Sequence, residues 1–209
     1  MKQLDCDTKL ANIRLLPVVK VPKLENASPL ADALEAGGIP LIEVTLRSEC
    51  ALSAIQTISK TSSIALGAGT VMNVEQAKAA HQAGATFLVC PGLDEQIVRY
   101  CLDQELAIYP GVSTASEVQK AYNLGLRSVK LFPAEAVGGV PLLKALSAPF
   151  AEMKFVPTGG VSLVNIVSYL SVKATLAVGG SWMTAEKLYQ SGDYSAVTSA
   201  AQEAVAKLS

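Results

Sequence analysis

Short apolar stretches rich in Val, Ile and Leu recur along the chain, each followed by a longer Ala-rich segment whose apolar positions fall at helical spacing. The stretches begin near Leu15, Leu41, Ile64, Thr86, Leu106, Ser128, Lys154 and Thr175. A step of roughly 20 to 26 residues suits one strand, one helix and two turns, and eight such units close a barrel. The turns share their chemistry: Gly38, Gly84 and Gly125 each stand where a helix needs a left-handed C-terminal cap. Helix starts are expected at Ser28-Pro29 and at Thr114, with Glu117 completing a capping box. Strands joined through helices are parallel. An open dinucleotide-binding sheet would carry Gly-x-Gly-x-x-Gly after its first strand, but Lys-Val-Pro-Lys-Leu-Glu follows Val19. The pattern therefore predicts an α/β fold of the (β/α)8 TIM-barrel type, a single domain over residues 1–209.

Within a barrel strand, alternate side chains face the interior and the helices. In the second strand Ile42, Val44 and Leu46 take the helix side, which sends Glu43, Thr45 and Arg47 inward. A carboxylate there is costly unless it is paired or protonated. Two readings stand: a structural ion pair with Arg47, or a group that moves protons. The same parity in the sixth strand sends Lys130 and Phe132 inward. Burial favours the neutral, nucleophilic form of an amine, and such an amine condenses with a ketone to an imine that acts as an electron sink. The alternative is an ammonium that reaches the barrel mouth.

Pro157-Thr-Gly-Gly-Val161 and Val178-Gly-Gly-Ser181 follow the last two strands, where barrels commonly bind phosphate through backbone N–H groups and a helix N-terminus. Gly159, Gly160, Gly179, Gly180 and Ser181 are the candidates. Other positions are read more plainly. By themselves Thr70 reads as a cap for a helix starting near Asn73, Pro91 and Pro110 as strand ends, and Phe132 as core. Trp182 is expected beneath the phosphate loop, and Lys20 as a solvated or anion-contacting group at the end of the first strand.

Composition narrows the classes. The chain is 50% hydrophobic and 17% charged, against about 25% charged in an ordinary domain. That implies a large core or a surface shared between subunits. Seventeen Lys plus Arg balance eighteen Asp plus Glu with no block of like charge, which argues against nucleic-acid or membrane-surface partners. The single histidine, His81, removes multi-imidazole metal sites and is expected on a helix surface. Four cysteines in no paired spacing suggest neither structural zinc nor a disulfide framework, and fit a reducing, cytoplasmic setting. No run reaches the length of a membrane span or a signal h-region, so a soluble, unprocessed chain is expected.

Seven motifs occur in a specific order: Glu-Val-Thr-Leu-Arg (43–47), Gly-Ala-Gly-Thr (67–70), Cys-Pro-Gly-Leu (90–93), Tyr-Pro-Gly-Val (109–112), Lys-Leu-Phe-Pro-Ala-Glu (130–135), Pro-Thr-Gly-Gly-Val (157–161) and Gly-Gly-Ser-Trp (179–182). From about Leu10 to the C-terminal helix the sequence resembles the 2-keto-3-deoxy-6-phosphogluconate (KDPG) and 4-hydroxy-2-oxoglutarate (KHG) aldolases. The resemblance implies a metal-independent class I aldolase with no cofactor, acting on a small 2-keto acid phosphate as a homotrimer. It implies Lys130 as the Schiff-base lysine and Glu43 as the proton shuttle. Arg47 and Thr70 would hold the pyruvyl carboxylate with a Gly69 N–H, and Pro91 and Phe132 would wall the pocket. Thr158 would lie near the C4 hydroxyl, and the five glycine-loop residues would take the phosphate. Alternatives are an aldolase of the phosphogalactonate type, a phosphate-binding barrel such as a phosphosugar isomerase or a thiamin-phosphate-synthase-like transferase, in which Lys130 acts only as an electrostatic group, and a non-catalytic binder of phosphorylated ligands.

Overall fold

A computed structural model describes residues 1–208. All eight apolar stretches form parallel strands: β1 (Leu15–Val19), β2 (Leu41–Thr45), β3 (Ala65–Gly69), β4 (Phe87–Val89), β5 (Ala107–Tyr109) with β6 (Gly111–Val112), β7 (Ser128–Leu131), β8 (Lys154–Pro157) and β9 (Val178–Gly180). The fifth stretch is interrupted at Pro110, which has no N–H to donate. Its first half pairs with β4 and its second half with β7, so one barrel strand runs in two pieces. The sheet order β5-β4-β3-β2-β1-β9 meets β6-β7-β8 through that break. Single bridges, Phe155 to Thr175 and Thr158 to Gly179, join β8 to β9 and complete the (β/α)8 barrel.

Strands β1 to β7 are buried at every position, as strands covered on both faces must be. The interior is filled by large residues set against small ones. Phe87 is fully buried, and a side chain on Gly67 would meet its ring, 2.6 Å from Cδ2. Outside run the helices α2 (Ala27–Ala36), α3 (Ala51–Thr61), α4 (Val74–Gln82), α5 (Glu95–Asp103), α6 (Ala115–Asn123), α7 (Gly139–Ser147), α8 (Ile166–Leu170) and α9 (Ser195–Ala206). Gly38, Gly84 and Gly125 adopt the left-handed conformation expected of them, with φ of 86°, 107° and 90°. Thr114 and Glu117 form the capping box at the start of α6. Helix α2 departs from expectation: it starts at Ala27, so Ser28 and Pro29 lie in its first turn, and the Ser28 hydroxyl bonds Thr61 instead of a backbone N–H.

An element outside the eight repeats, α1 (Gln3–Ile13), lies across the end of the barrel where the strands begin. The Ala107 and Ile108 N–H groups donate to the Met1 carbonyl and the Gln3 side chain. Asp7 accepts hydrogen bonds from Tyr109 at 2.6 Å and Ser128 at 2.7 Å, both on buried strand positions. With that end occupied, access to the interior is from the opposite face, where the strands end.

Candidate active site

Strand parity brings a group of polar side chains to the open face. A cavity of about 160 Å³ is lined by Val18 from β1, Glu43 and Thr45 from β2, Arg47 and Thr70 just beyond β2 and β3, Pro91 beyond β4, Lys130 and Phe132 on and after β7, and Thr158 after β8. The structure thus gathers Glu43, Arg47, Thr70, Pro91, Lys130, Phe132 and Thr158 around one space. A larger hollow of about 390 Å³ lies near Lys2, Leu4 and Leu102 on the outside of the barrel. It contains no buried amine, so the smaller cavity is where the chemistry is concentrated.

Two charges oppose each other at its base. Glu43 is fully buried and Lys130 is 5% exposed, with Nζ 3.7 Å from Oε1. The carboxylate's ion pair is with Lys130 and not with Arg47, which removes the structural pairing considered for that arginine. At 3.7 Å the contact is longer than a hydrogen bond, and neither Glu43 oxygen has a hydrogen-bonding partner. A buried carboxylate with open acceptor capacity is expensive to keep, and a ligand oxygen or proton between the two groups would complete it. The Lys130 ammonium also sits 4.8 Å from the centre of the Phe132 ring. Nearby, burial pushes the Cys90 thiol well up from its usual range, so the thiol stays protonated and is no competing nucleophile.

The neighbours fix these positions. A side chain on Gly69 would run into the Glu43 carboxyl group, so glycine there leaves room for the carboxylate. Thr45 spends its hydroxyl on the Val19 carbonyl at 2.9 Å. Thr70 holds a left-handed backbone, φ 58°, which is strained for a β-branched residue and turns its side chain to the cavity. It does not cap α4: Asn73 does, accepting from the Gln76 N–H at 2.8 Å.

The glycine pairs behave differently from each other. Gly159 and Gly160 have φ of 97° and 80°, a turn that other residues resist. Gly179 and Gly180 lie in β9, and their missing side chains make space: Thr158 occupies the room beside Gly179, and the Trp182 ring packs against Gly180. Only a three-residue 3-10 turn, Trp182–Thr184, follows Ser181, and α8 has five residues. The helix starts beside the two glycine turns are therefore short ones, with Ser181 at the N-cap of the 3-10 turn and exposed, and Asn165 at the N-cap of α8.

Lys20 is exposed beyond β1 and outside the cavity wall. His81 faces the Tyr100 hydroxyl at 3.0 Å on the outer helical layer. Val18 lines the cavity without having been singled out in the sequence, and Thr45, sent inward by parity, lines it without having been given a role. Thr45 shares the parity of Glu43, which was the available signal; Val18 has no chemistry to flag it. Among the described residues no group of three His, Cys, Asp or Glu side chains is placed to hold a metal ion.

A closed parallel barrel with a buried lysine and carboxylate at the C-terminal mouth defines an enzyme of the Schiff-base lyase class. Comparison with known proteins specifies it. Residues 6–200 match the family described as KDPG and KHG aldolase. The KHG/KDPG aldolase of Escherichia coli (strain K12) is 45% identical over 192 residues, covering 91% of this chain and 90% of that protein. The solved KDPG aldolase of Zymomonas mobilis ZM4 with 3-phosphoglycerate superposes with a TM-score of 0.91 at 38% identity, over 98% of this chain and 96% of the other. The Legionella pneumophila KDPG aldolase, with pyruvate captured as a covalent carbinolamine, gives 0.92 at 36% identity over 95% and 97%. The chain belongs to the KDPG and KHG aldolase family and is a lyase.

Proposed function

We propose that this chain cleaves 2-keto-3-deoxy-6-phosphogluconate reversibly to pyruvate and D-glyceraldehyde 3-phosphate, and also cleaves 4-hydroxy-2-oxoglutarate to pyruvate and glyoxylate. The observation that carries the reading is the buried Lys130 amine 3.7 Å from a buried Glu43 carboxylate that lacks hydrogen-bonding partners. The carbinolamine named for the Legionella enzyme is the first covalent species such an amine makes with pyruvate.

In this mechanism the neutral Lys130 amine adds to the C2 ketone, and the carbinolamine loses water to give a protonated imine. Removal of the C4 hydroxyl proton breaks the C3–C4 bond. Its electron pair moves into the imine, leaving an enamine and releasing the aldehyde. Protonation at C3 and hydrolysis then free pyruvate and the lysine. Glu43 carries the protons, since it is the carboxylate within reach of Nζ. Arg47 and Thr70 hold the pyruvyl carboxylate, and Pro91 and Phe132 form the walls around the planar imine. Thr158 stands by the C4 hydroxyl, which favours the gluconate over the galactonate configuration. Gly159, Gly160, Gly179, Gly180 and Ser181 take the phosphate through backbone and hydroxyl donors. No step needs a metal or other cofactor.

We read residues 1–209 as one aldolase domain, supported by the family match over residues 6–200. The resemblance further implies a homotrimer, which light scattering on the purified protein would test. Free Cys6, Cys50, Cys90 and Cys101 suit a reducing, cytoplasmic compartment. No helix among the described residues is long and apolar enough to cross a membrane. The activity is tested by following pyruvate release from each phosphorylated epimer with lactate dehydrogenase, with and without EDTA. Release from the gluconate epimer that EDTA leaves unchanged is expected; no release, or loss on chelation, overturns the reading.

A further inference from the structure

The turn carrying Gly159 and Gly160 is gripped from two sides. On one side, the Ala134 and Glu135 N–H groups donate to the Thr158 and Gly159 carbonyls at 2.8 and 3.0 Å, extending the β7–β8 pairing into the turns beyond the strands. On the other, the Asn165 side chain donates to the Gly160 carbonyl at 3.0 Å. The Glu135 side chain then lies directly on Gly160. A side chain at Gly160 would come within 2.5 Å of Glu135 Cγ and 2.6 Å of its Cβ, so the stem of Glu135 fills the space that glycine leaves open.

Glu135 is exposed on the surface, yet its carboxylate is held. The hydroxyl of Tyr169, a fully buried residue of α8, donates to Glu135 Oε1. Burial, reinforced by the adjoining carboxylate, pushes the Tyr169 phenol up, so it remains a proton donor throughout the working pH range. Gly139 passes beside the pair, its Cβ position 3.3 Å from Oε1 and 3.4 Å from the Tyr169 oxygen, and it too has a left-handed φ of 59°. Glycines therefore stand on both sides of one hydrogen bond. Neither Glu135 nor Tyr169 lines the cavity around Lys130.

We propose that Tyr169 and Glu135 are positioning residues for the phosphate end of the substrate. The buried phenol anchors the carboxylate, the carboxylate's stem presses on Gly160, and the Gly159–Gly160 turn keeps the conformation in which its backbone can meet a phosphate. Such a device acts on phosphorylated substrates and leaves the pyruvyl half untouched. The inference rests on the assignment of this turn to phosphate under the proposed function.

The test compares two substrates that share the pyruvyl half and differ in the phosphate. Loss of one buried hydrogen bond corresponds to about a fivefold change. Tyr169→Phe and Glu135→Ala are therefore expected to raise KM for 2-keto-3-deoxy-6-phosphogluconate about fivefold or more, with kcat little changed. Their kcat/KM for 4-hydroxy-2-oxoglutarate should move by less than about twofold. Glu135→Gln keeps the stem and an acceptor oxygen for Tyr169, and should restore most of the lost affinity. A thermal melt accompanies each variant, and if either Tyr169→Phe or Glu135→Ala does not fold, the comparison is made between the other and Glu135→Gln. Equal losses on both substrates, or no loss on either, overturn the positioning role. The phosphate assignment is checked separately with inorganic phosphate as inhibitor of the wild-type enzyme. Absence of competition there overturns the assignment and the positioning role with it, whereas competition with unaltered variants overturns the positioning role alone.

Discussion

Gly69→Ala isolates the placement of the Glu43 carboxylate from its chemistry. Gly69 ends β3 opposite Thr45, with a backbone outside the left-handed region, so alanine is compatible with its conformation. The added methyl would lie 2.7 Å from both Cγ and Cδ of Glu43 and closer still to Oε1. Ordinary contact begins near 3.4 Å, so the carboxyl carbon must retreat by about 0.7 Å and the oxygen by more. A shift of about 1 Å at a reacting group is worth on the order of a hundredfold in rate. The crowding itself is expected to lower stability by about 1 to 3 kcal/mol, which leaves the fold populated. Two assays read the effect: pyruvate release from the phosphorylated substrate, and exchange of the pyruvate methyl protons with deuterium oxide by NMR. Exchange needs only the imine and a base, so both rates should fall by about a hundredfold while KM for the substrate changes far less. If both rates stay within about threefold of wild type in a folded variant, the position of Glu43 does not govern proton transfer.

Asp7→Ala should destabilise the barrel by about 2 to 4 kcal/mol in urea unfolding, because it strands the buried Tyr109 and Ser128 hydroxyls. A loss below about 1 kcal/mol would mean that water replaces the carboxylate. Glu117→Gln tests the α6 cap as a function of pH. Burial pushes the Glu117 carboxyl up, but hydrogen bonds from Ser113 and Thr114 outweigh it and hold the group below its ordinary 4.5. A depressed folded pKa adds stability that is fully present above 4.5 and lost as the pH falls through the lower, folded value. The wild-type advantage over Glu117→Gln, about 1 kcal/mol at pH 7, should therefore shrink on acidification, and a difference that stays constant down to pH 3 would contradict the cap assignment.

The repeating strands and the inward polar residues could be read from sequence because both rest on local periodicity. Period-two alternation sends Glu43 and Lys130 to the same interior whatever the barrel's details, and the glycine caps at 38, 84 and 125 follow from helix-end geometry alone. What was not legible depends on contacts distant in the chain. Helix α1 buries only Cys6 and Leu10, too weak a pattern to announce a helix, and its place is set by Asp7 meeting residues more than 100 positions away. Pro110 ends its strand as its missing N–H implies, but the second piece beyond it, Gly111–Val112, became visible only once the two flanks paired with different neighbours. Gly179 and Gly180 looked like phosphate glycines and Gly69 like a backbone donor to a carboxylate, and three-dimensional proximity to Thr158, Trp182 and Glu43 explains their lack of side chains. The left-handed backbone of Thr70 has no sequence signature at all.

The central claim is that Lys130 forms an imine with the keto acid. Reduction with borohydride in the presence of pyruvate, followed by peptide mass mapping, tests it directly. The account predicts one adduct, on the Lys130 peptide, with loss of activity in proportion to labelling and no adduct in Lys130→Ala. An adduct on Lys20, or no adduct in an active enzyme, would contradict it.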